Sequence, residues 1–147
     1  GGFLKITDRK KELFKTSGGK YVAPQQVESK YKESPFIEQV MVIGNNRKFV
    51  SALIVPSMLN LQEYCKHKLW EFDNLEEMVR DKRVREKLQR EIDHINPEVN
   101  HVEQIKKFTL LAKEWTSVEG ELTPTTKLKR RVIEEKFARE IGVMYEG

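Results

Sequence analysis

The 147-residue sequence has one cysteine, no apolar run long enough to cross a bilayer, no repeat and no low-complexity stretch. A lone cysteine excludes an intramolecular disulfide framework and any cysteine-rich zinc module, and it points to a reducing compartment. A membrane helix needs roughly 18–20 consecutive apolar residues, and no segment approaches that. No signal-peptide pattern opens the chain. Charge of one sign is also scarce: 27 Lys+Arg stand against 23 Asp+Glu, a formal net charge of +4. That surplus suits an anionic ligand, but intermixed charges amounting to 34% of the chain describe a solvated surface more than a nucleic-acid footprint. Hydrophobic residues make up 38%, and a chain of this size buries roughly 68–70% of its unfolded surface when it folds as one domain. Composition therefore leads us to expect one soluble, intracellular, cytoplasmic domain.

The pattern along the chain mixes helices and strands without regular alternation. Phe3-Leu4-Lys5-Ile6-Thr7 and Leu13-Phe14-Lys15-Thr16 flank the charged cluster Asp8-Arg9-Lys10-Lys11-Glu12. These two β-prone runs around a polar turn read as a hairpin, closed by the Gly18-Gly19 pair. Pro24 in a first turn starts a helix that runs to about Ser34, before Pro35. Residues 37–44 and 49–55 read as strands joined by the polar turn Asn45-Asn46-Arg47-Lys48, hence an antiparallel pair. Residues 59–69 read as a helix. Residues 81–95 read as a second, with Val84, Leu88, Ile92 and Ile95 at helical spacing and a Glu86–Arg90 pair on the polar side. Residues 105–112 read as a strand, and residues 128–142 as a final helix presenting Val132, Ile133, Phe137 and Ile141. The expected fold class is α+β: a three-stranded sheet flanked by helices, plus an N-terminal β-hairpin.

Several signals have plain readings. Thr16-Ser17-Gly18-Gly19-Lys20 is not a Walker loop, because Phe14 stands where that motif needs glycine and Tyr21 where it needs Ser or Thr. Cys65 and His67, two apart on a predicted helix, point to different sides and cannot chelate one metal. No metal site is expected. Trp70 and Trp115 read as core anchors. The run Lys127-Leu128-Lys129-Arg130-Arg131 is harder to dismiss, since positive charge at a helix start opposes the macrodipole. It favours an anionic ligand near the loop or acidic partners on another surface, with tolerated solubility charge as the alternative.

Two segments, taken together, carry a family resemblance. Asp8-Arg9-Lys10-Lys11-Glu12-Leu13-Phe14-Lys15-Thr16-Ser17-Gly18-Gly19-Lys20-Tyr21-Val22-Ala23-Pro24 resembles the hinge and following loop of adenylate-forming acyl-CoA synthetases. Thr123-Pro124-Thr125-Thr126-Lys127-Leu128-Lys129-Arg130-Arg131 resembles their catalytic-lysine loop. The order and separation match the family, and Glu121-Leu122-Thr123-Pro124-Thr125 looks most like the long-chain fatty acyl-CoA synthetase branch. The resemblance covers essentially the whole chain as the mobile C-terminal domain (residues 1–147) of a larger enzyme. It implies adenylation of a carboxylate by ATP, then thioester formation with coenzyme A after domain rotation.

In that resemblance Asp8 matches the hinge and Arg9 the arginine on the AMP ribose. Ser17, Gly18, Gly19 and Lys20 match the loop lining the pantetheine channel. Lys127 matches the lysine that bridges the acyl carboxylate and the α-phosphate. Lys10 and Lys11, with Lys20, are candidates on charge alone for the phosphates of coenzyme A. Many family members carry glycine immediately before the lysine, where this chain has Thr126. Lys129 competes for the assignment, and aligning Arg130-Arg131 with the family's basic pair favours Lys127. The implied cofactors are ATP, Mg2+ and coenzyme A in the full-length enzyme. The implied partners are its own N-terminal adenylation domain and a fatty acid, with no nucleic acid and with peripheral membrane association left open. The domain is expected to fold alone and to be inactive alone, with Gly1 a candidate expression remnant. Two alternatives stay open at this point: a stand-alone basic module for nucleic acid or anionic membrane, and a domain that loads a carrier protein.

Overall fold

The computed structural model describes residues 13–146. Strands β1 (Phe14–Lys15) and β2 (Tyr21–Val22) pair antiparallel, Phe14 opposite Val22 and Lys15 opposite Tyr21. The hairpin is therefore closed by residues 16–20. The glycine pair supplies the reversal, with Gly19 at φ 87°. The run at residues 3–7 lies outside the described residues.

Helix α1 (Pro24–Tyr31) begins on proline and ends short of the expected Ser34. Strands β3 (Ile37–Ile43) and β4 (Val50–Pro56) form the antiparallel pair, with Val40 opposite Ile54 and Val42 opposite Ala52. Strand β5 (Ile105–Leu110) joins the other side of β4 in parallel, giving the order β3-β4-β5. Between them run α2 (Met58–His67), α3 (Leu75–Arg80) and α4 (Lys82–Ile95). Helices α5 (Arg130–Lys136) and α6 (Ala138–Met144) close the chain.

The sheet is covered on both faces, which explains why β3 and β4 read as almost continuous apolar runs. On one face Val40, Val42, Ala52 and Ile54 meet α1, α2 and the buried stripe Val84, Leu88, Ile92 and Ile95 of α4. On the other, Met41, Ile43, Leu53 and Val55 meet Trp115, Leu122, Ile133, Ile141 and Met144. The period-2 alternation of a strand sends neighbouring residues to opposite cores. Truncating a fully buried residue such as Leu53 to alanine costs about 2–5 kcal/mol. Tyr31 ties the layers together: its hydroxyl donates to Asn96 Oδ1 and accepts the Ile105 N–H at 3.1 Å.

Three local readings need correction. Helix α3 is missing from the sequence-based set, although Asn74 caps it by accepting the Glu77 N–H at 2.8 Å and Glu77 returns a bond to the Asp73 N–H. The single terminal helix is two, because Phe137 leaves helical geometry at φ −112°, ψ 27°. On α4 the ion pair at i,i+4 is Lys87–Glu91 at 3.0 Å, while Arg90 donates to the Tyr64 hydroxyl across the helix interface. Trp115 is buried as expected, whereas Trp70 is only partly buried, with the Arg83 guanidinium 4.5 Å from its ring centroid. Among the described residues, no helix is long and apolar enough to cross a membrane.

Candidate functional site

Lys127 sits on a short hairpin between β5 and α5. Thr123 and Lys127 face each other, the Thr123 N–H donating to the Lys127 carbonyl at 2.8 Å. The Thr126 N–H donates to the Thr123 carbonyl at 2.8 Å, and the Lys127 N–H to Thr123 Oγ1 at 3.0 Å. Leu122 and Leu128 form an antiparallel bridge below. A three-residue hairpin loop of this kind ends on a residue in the left-handed region, and Thr126 occupies it at φ 65°. This is the position where the resemblance leads one to expect glycine, and the geometry supplies the reason: a Cβ is costly at that torsion. The backbone around Lys127 is thus fixed while its side chain stands exposed.

Three attachments hold this hairpin to the body. Gln39 of β3 grips the backbone of Trp115, accepting its N–H at 2.7 Å and donating to its carbonyl at 3.0 Å. Glu121, 2% exposed, accepts the Thr116 N–H at 3.0 Å and an ammonium hydrogen of Lys136, while its carbonyl accepts the Lys129 N–H. Burial alone raises the Glu121 carboxyl pKa, but the bonds from Lys136 and Thr116 outweigh it and hold the group below its ordinary value. The third attachment is the pair of buried Glu28 and half-buried Arg130, in which two N–H···O contacts of 2.7 Å run in parallel.

That pair answers the charge puzzle at the start of the last helix. Arg130 opens α5 without a side-chain cap at Lys129, and the acid that compensates it comes from α1. The basic run is therefore not one continuous free patch: Arg130 is turned inward while Lys127 stays out. Lys127, Thr126, Glu28 and Arg130 line one open groove with Gln25 and Lys32 of the α1 region, and Lys129 is not among the residues lining it.

Residues 17–20 lie elsewhere. The Ser17 N–H donates to the Arg47 carbonyl at 2.9 Å, and the Asn46 N–H to the Lys15 carbonyl at 2.8 Å, so the loop hangs from the β3–β4 turn. Within it, the Gly19 N–H donates to the Thr16 carbonyl and the Lys20 N–H to Thr16 Oγ1. Three of its amides are thus already engaged. None of these residues lines the groove of Lys127, so the structure separates the glycine loop from the lysine hairpin. Asp8, Arg9, Lys10 and Lys11 lie outside the described residues.

Sequence reasoning missed Glu28, Gln39 and Glu121. Each is a polar residue whose partner is distant in sequence or is a backbone group, so no periodicity announces it; the signal for Glu28 was an acid at helical spacing among Pro24, Val27 and Tyr31, and for Glu121 its place in the Glu121-Leu122-Thr123-Pro124-Thr125 motif. Among the described residues no group of three or more His, Cys, Asp or Glu side chains comes together as a metal site. Cys65 is buried and His67 exposed, and burial pushes the Cys65 thiol pKa up.

Residues 12–147 match the family model described as the AMP-binding enzyme C-terminal domain. A long-chain-fatty-acid–CoA ligase of Mycobacterium tuberculosis is 36% identical over 145 residues, 98% of this chain and 24% of that protein. Long-chain-fatty-acid–CoA ligase 1 of Homo sapiens is 33% identical over 147 residues, 98% of this chain and 21% of that protein. The adenylation domain of a carboxylate reductase from Mycobacterium chelonae shares the fold, with a TM-score of 0.76 over 94% of this chain and 20% of that one at 23% identity. The chain spans between a fifth and a quarter of the length of the two ligases.

Proposed function

Because this chain belongs to the AMP-binding enzyme C-terminal domain family, we propose that it is the mobile C-terminal domain of an ATP-dependent long-chain fatty acid–CoA ligase. The observation that carries this reading is the Lys127 hairpin, a rigid loop that holds out one lysine from an otherwise well-anchored segment. In the first half-reaction a carboxylate oxygen of the fatty acid attacks the α-phosphorus of ATP, and pyrophosphate leaves. Negative charge crowds between the two anionic reactants as they meet, and an ammonium placed there stabilises the transition state more than the separated reactants. That is the role proposed for Lys127. In the second half-reaction the thiol of coenzyme A attacks the acyl carbonyl and AMP leaves, so the lysine is no longer needed.

The separation of the two loops supports a division of labour. Lys127 lines a groove that includes none of residues 17–20, and those residues hang instead from the β3–β4 turn. A rotation about Asp8 would exchange them at a site supplied by the larger N-terminal domain, hinge motion being absorbed by a few residues at element ends. Arg9 is proposed to bind the AMP ribose, Ser17, Gly18, Gly19 and Lys20 to line the pantetheine channel, and Lys10 and Lys11 to meet coenzyme A phosphates. Mg2+, when bound with ATP, neutralises phosphate charge, and it is proposed to be held outside this domain.

The test uses the full-length enzyme. Lys127→Ala should lower acyl-adenylate formation by at least about 100-fold, the usual scale for removing one transition-state charge contact. Thioester formation from supplied acyl-adenylate should stay within about threefold of the parent, as expected when an interaction is made in one transition state only. Equal loss in both half-reactions would overturn the assigned role, and Lys129→Ala with the same signature would move it to the neighbouring lysine.

A further inference from the structure

We propose that Glu28 and Arg130 are positioning residues for adenylation: the buried Glu28 carboxylate, through the Arg130 guanidinium, sets where Lys127 projects. The inference rests on the reading of Lys127 as the adenylation lysine.

Glu28 lies on α1 and is 6% exposed. Its Oε2 accepts from Arg130 Nη1 and its Oε1 from Arg130 Nη2, each at 2.7 Å, and Oε2 also accepts the Val42 N–H at 2.8 Å. Val42 is on β3, an outer strand of the three-stranded sheet, so the carboxylate is itself anchored to the sheet. A bidentate guanidinium–carboxylate pair fixes orientation as well as distance, because the two planar forks meet in one arrangement. From Arg130 back to Lys127 the backbone has little freedom. The Lys129 N–H is bonded to the Glu121 carbonyl, and Leu128 is bridged to Leu122. The outgoing arm of the hairpin is therefore pinned at Glu121 and at Glu28, and the sheet, α1 and Lys127 form one mechanical unit.

The geometry favours this role over a purely stabilising one. Buried ion pairs are weak sources of stability, since well-packed apolar side chains of similar volume often do as well. What an apolar pair does not supply is a fixed fork direction. Misplacing a reacting group by about 1 Å costs on the order of 100-fold in rate, so a pair that holds the lysine arm at one angle has a kinetic consequence.

The experiment measures both half-reactions in the full-length enzyme, with Lys127→Ala as the reference. Arg130→Lys keeps the charge and loses the fork; Glu28→Gln keeps an acceptor for Val42 and loses the charge. Each is expected to lower the adenylation kcat by about 10- to 100-fold and to leave thioester formation from supplied acyl-adenylate within about threefold. KM for ATP should also stay within about threefold of the parent. The double variant Glu28→Gln/Arg130→Lys should be no slower than the slower single, as coupled partners require. Adenylation near the parent rate in both singles, with Lys127→Ala inactive in that step, overturns the positioning role alone. A Lys127→Ala enzyme that still adenylates overturns the reading beneath it as well. Equal loss of both half-reactions, tracking a lowered melting temperature, makes the pair merely structural and also rejects the proposal. Should neither single fold, Glu28→Leu/Arg130→Met, which replaces the ion pair by apolar packing, decides by the same split between half-reactions.

Discussion

The carboxylate of Glu121, buried at the base of the lysine hairpin, is gripped by the ammonium of Lys136, 15 residues further along the chain. Glu121 thereby connects three things at once: the loop at Thr116 through its side chain, the entry to α5 through its carbonyl, and the last turn of α5 through Lys136. The hairpin is held at its foot while its tip stays in solvent.

This arrangement predicts an acid-sensitive contribution to stability. The folded-state pKa of Glu121 is lowered relative to the unfolded chain, so its stabilisation is fully present above the ordinary carboxylate value of about 4.3. It is lost as pH falls through the lowered folded value, where the folded carboxylate must take up a proton. Glu91, against whose burial the Ser34 hydroxyl and Lys87 prevail, acts in the same direction. Urea unfolding of the chain at pH 7 and pH 3 should show Glu121→Gln less stable at pH 7 by about 1–3 kcal/mol, the cost of unmade buried hydrogen bonds. The gap should narrow at pH 3. A variant with the parent's full pH dependence would show that Glu121 is not one of the groups responsible.

A second expectation concerns Thr126. A β-branched residue at φ 65° carries a steric cost that glycine does not. Thr126→Gly should therefore be more stable than Thr126→Ala by about 1 kcal/mol, because alanine retains the offending Cβ. Thermal melts of the two variants suffice. If alanine is the more stable of the two, the left-handed torsion at this position is incorrect.

Gly44 offers a test of how the glycine loop is seated. A Cβ there would lie 2.7 Å from Phe14 Cε1 and 2.9 Å from Cζ, too close for either group to stay. Gly44→Ala should displace the Phe14 ring at a cost of about 1–3 kcal/mol, the range for overpacking. It should also raise hydrogen exchange in residues 14–22 more than in β4. Adding Phe14→Leu should recover part of the loss. Unchanged exchange in the hairpin would mean that Phe14 does not seat it.

Much of this was legible in the residues. The polar turn between two apolar runs places β3 and β4, and the spacing of Val84, Leu88, Ile92 and Ile95 places α4, because burial of one face imposes a period that the sequence displays. Other elements were not. Helix α3 spans only Leu75–Arg80, too short to develop a periodic signal, and only its Asn74–Glu77 cap marks it. The break at Phe137 is hidden because both halves continue the same apolar face, with Ile133 and Ile141 buried on either side of it.

By itself, the sequence determined the class of the domain and displayed the two motif loops, since each depends on residues within a few positions of one another. The tertiary structure alone decided that β5 lies parallel beside β4, and that the two loops occupy separate regions of the surface. It alone decided that Arg130 finds its acid at Glu28, 102 residues away. Propensity and periodicity act between near neighbours on the chain. The Glu28 charge is matched to its partner only when folding takes it out of water, because only then does leaving it unpaired become costly.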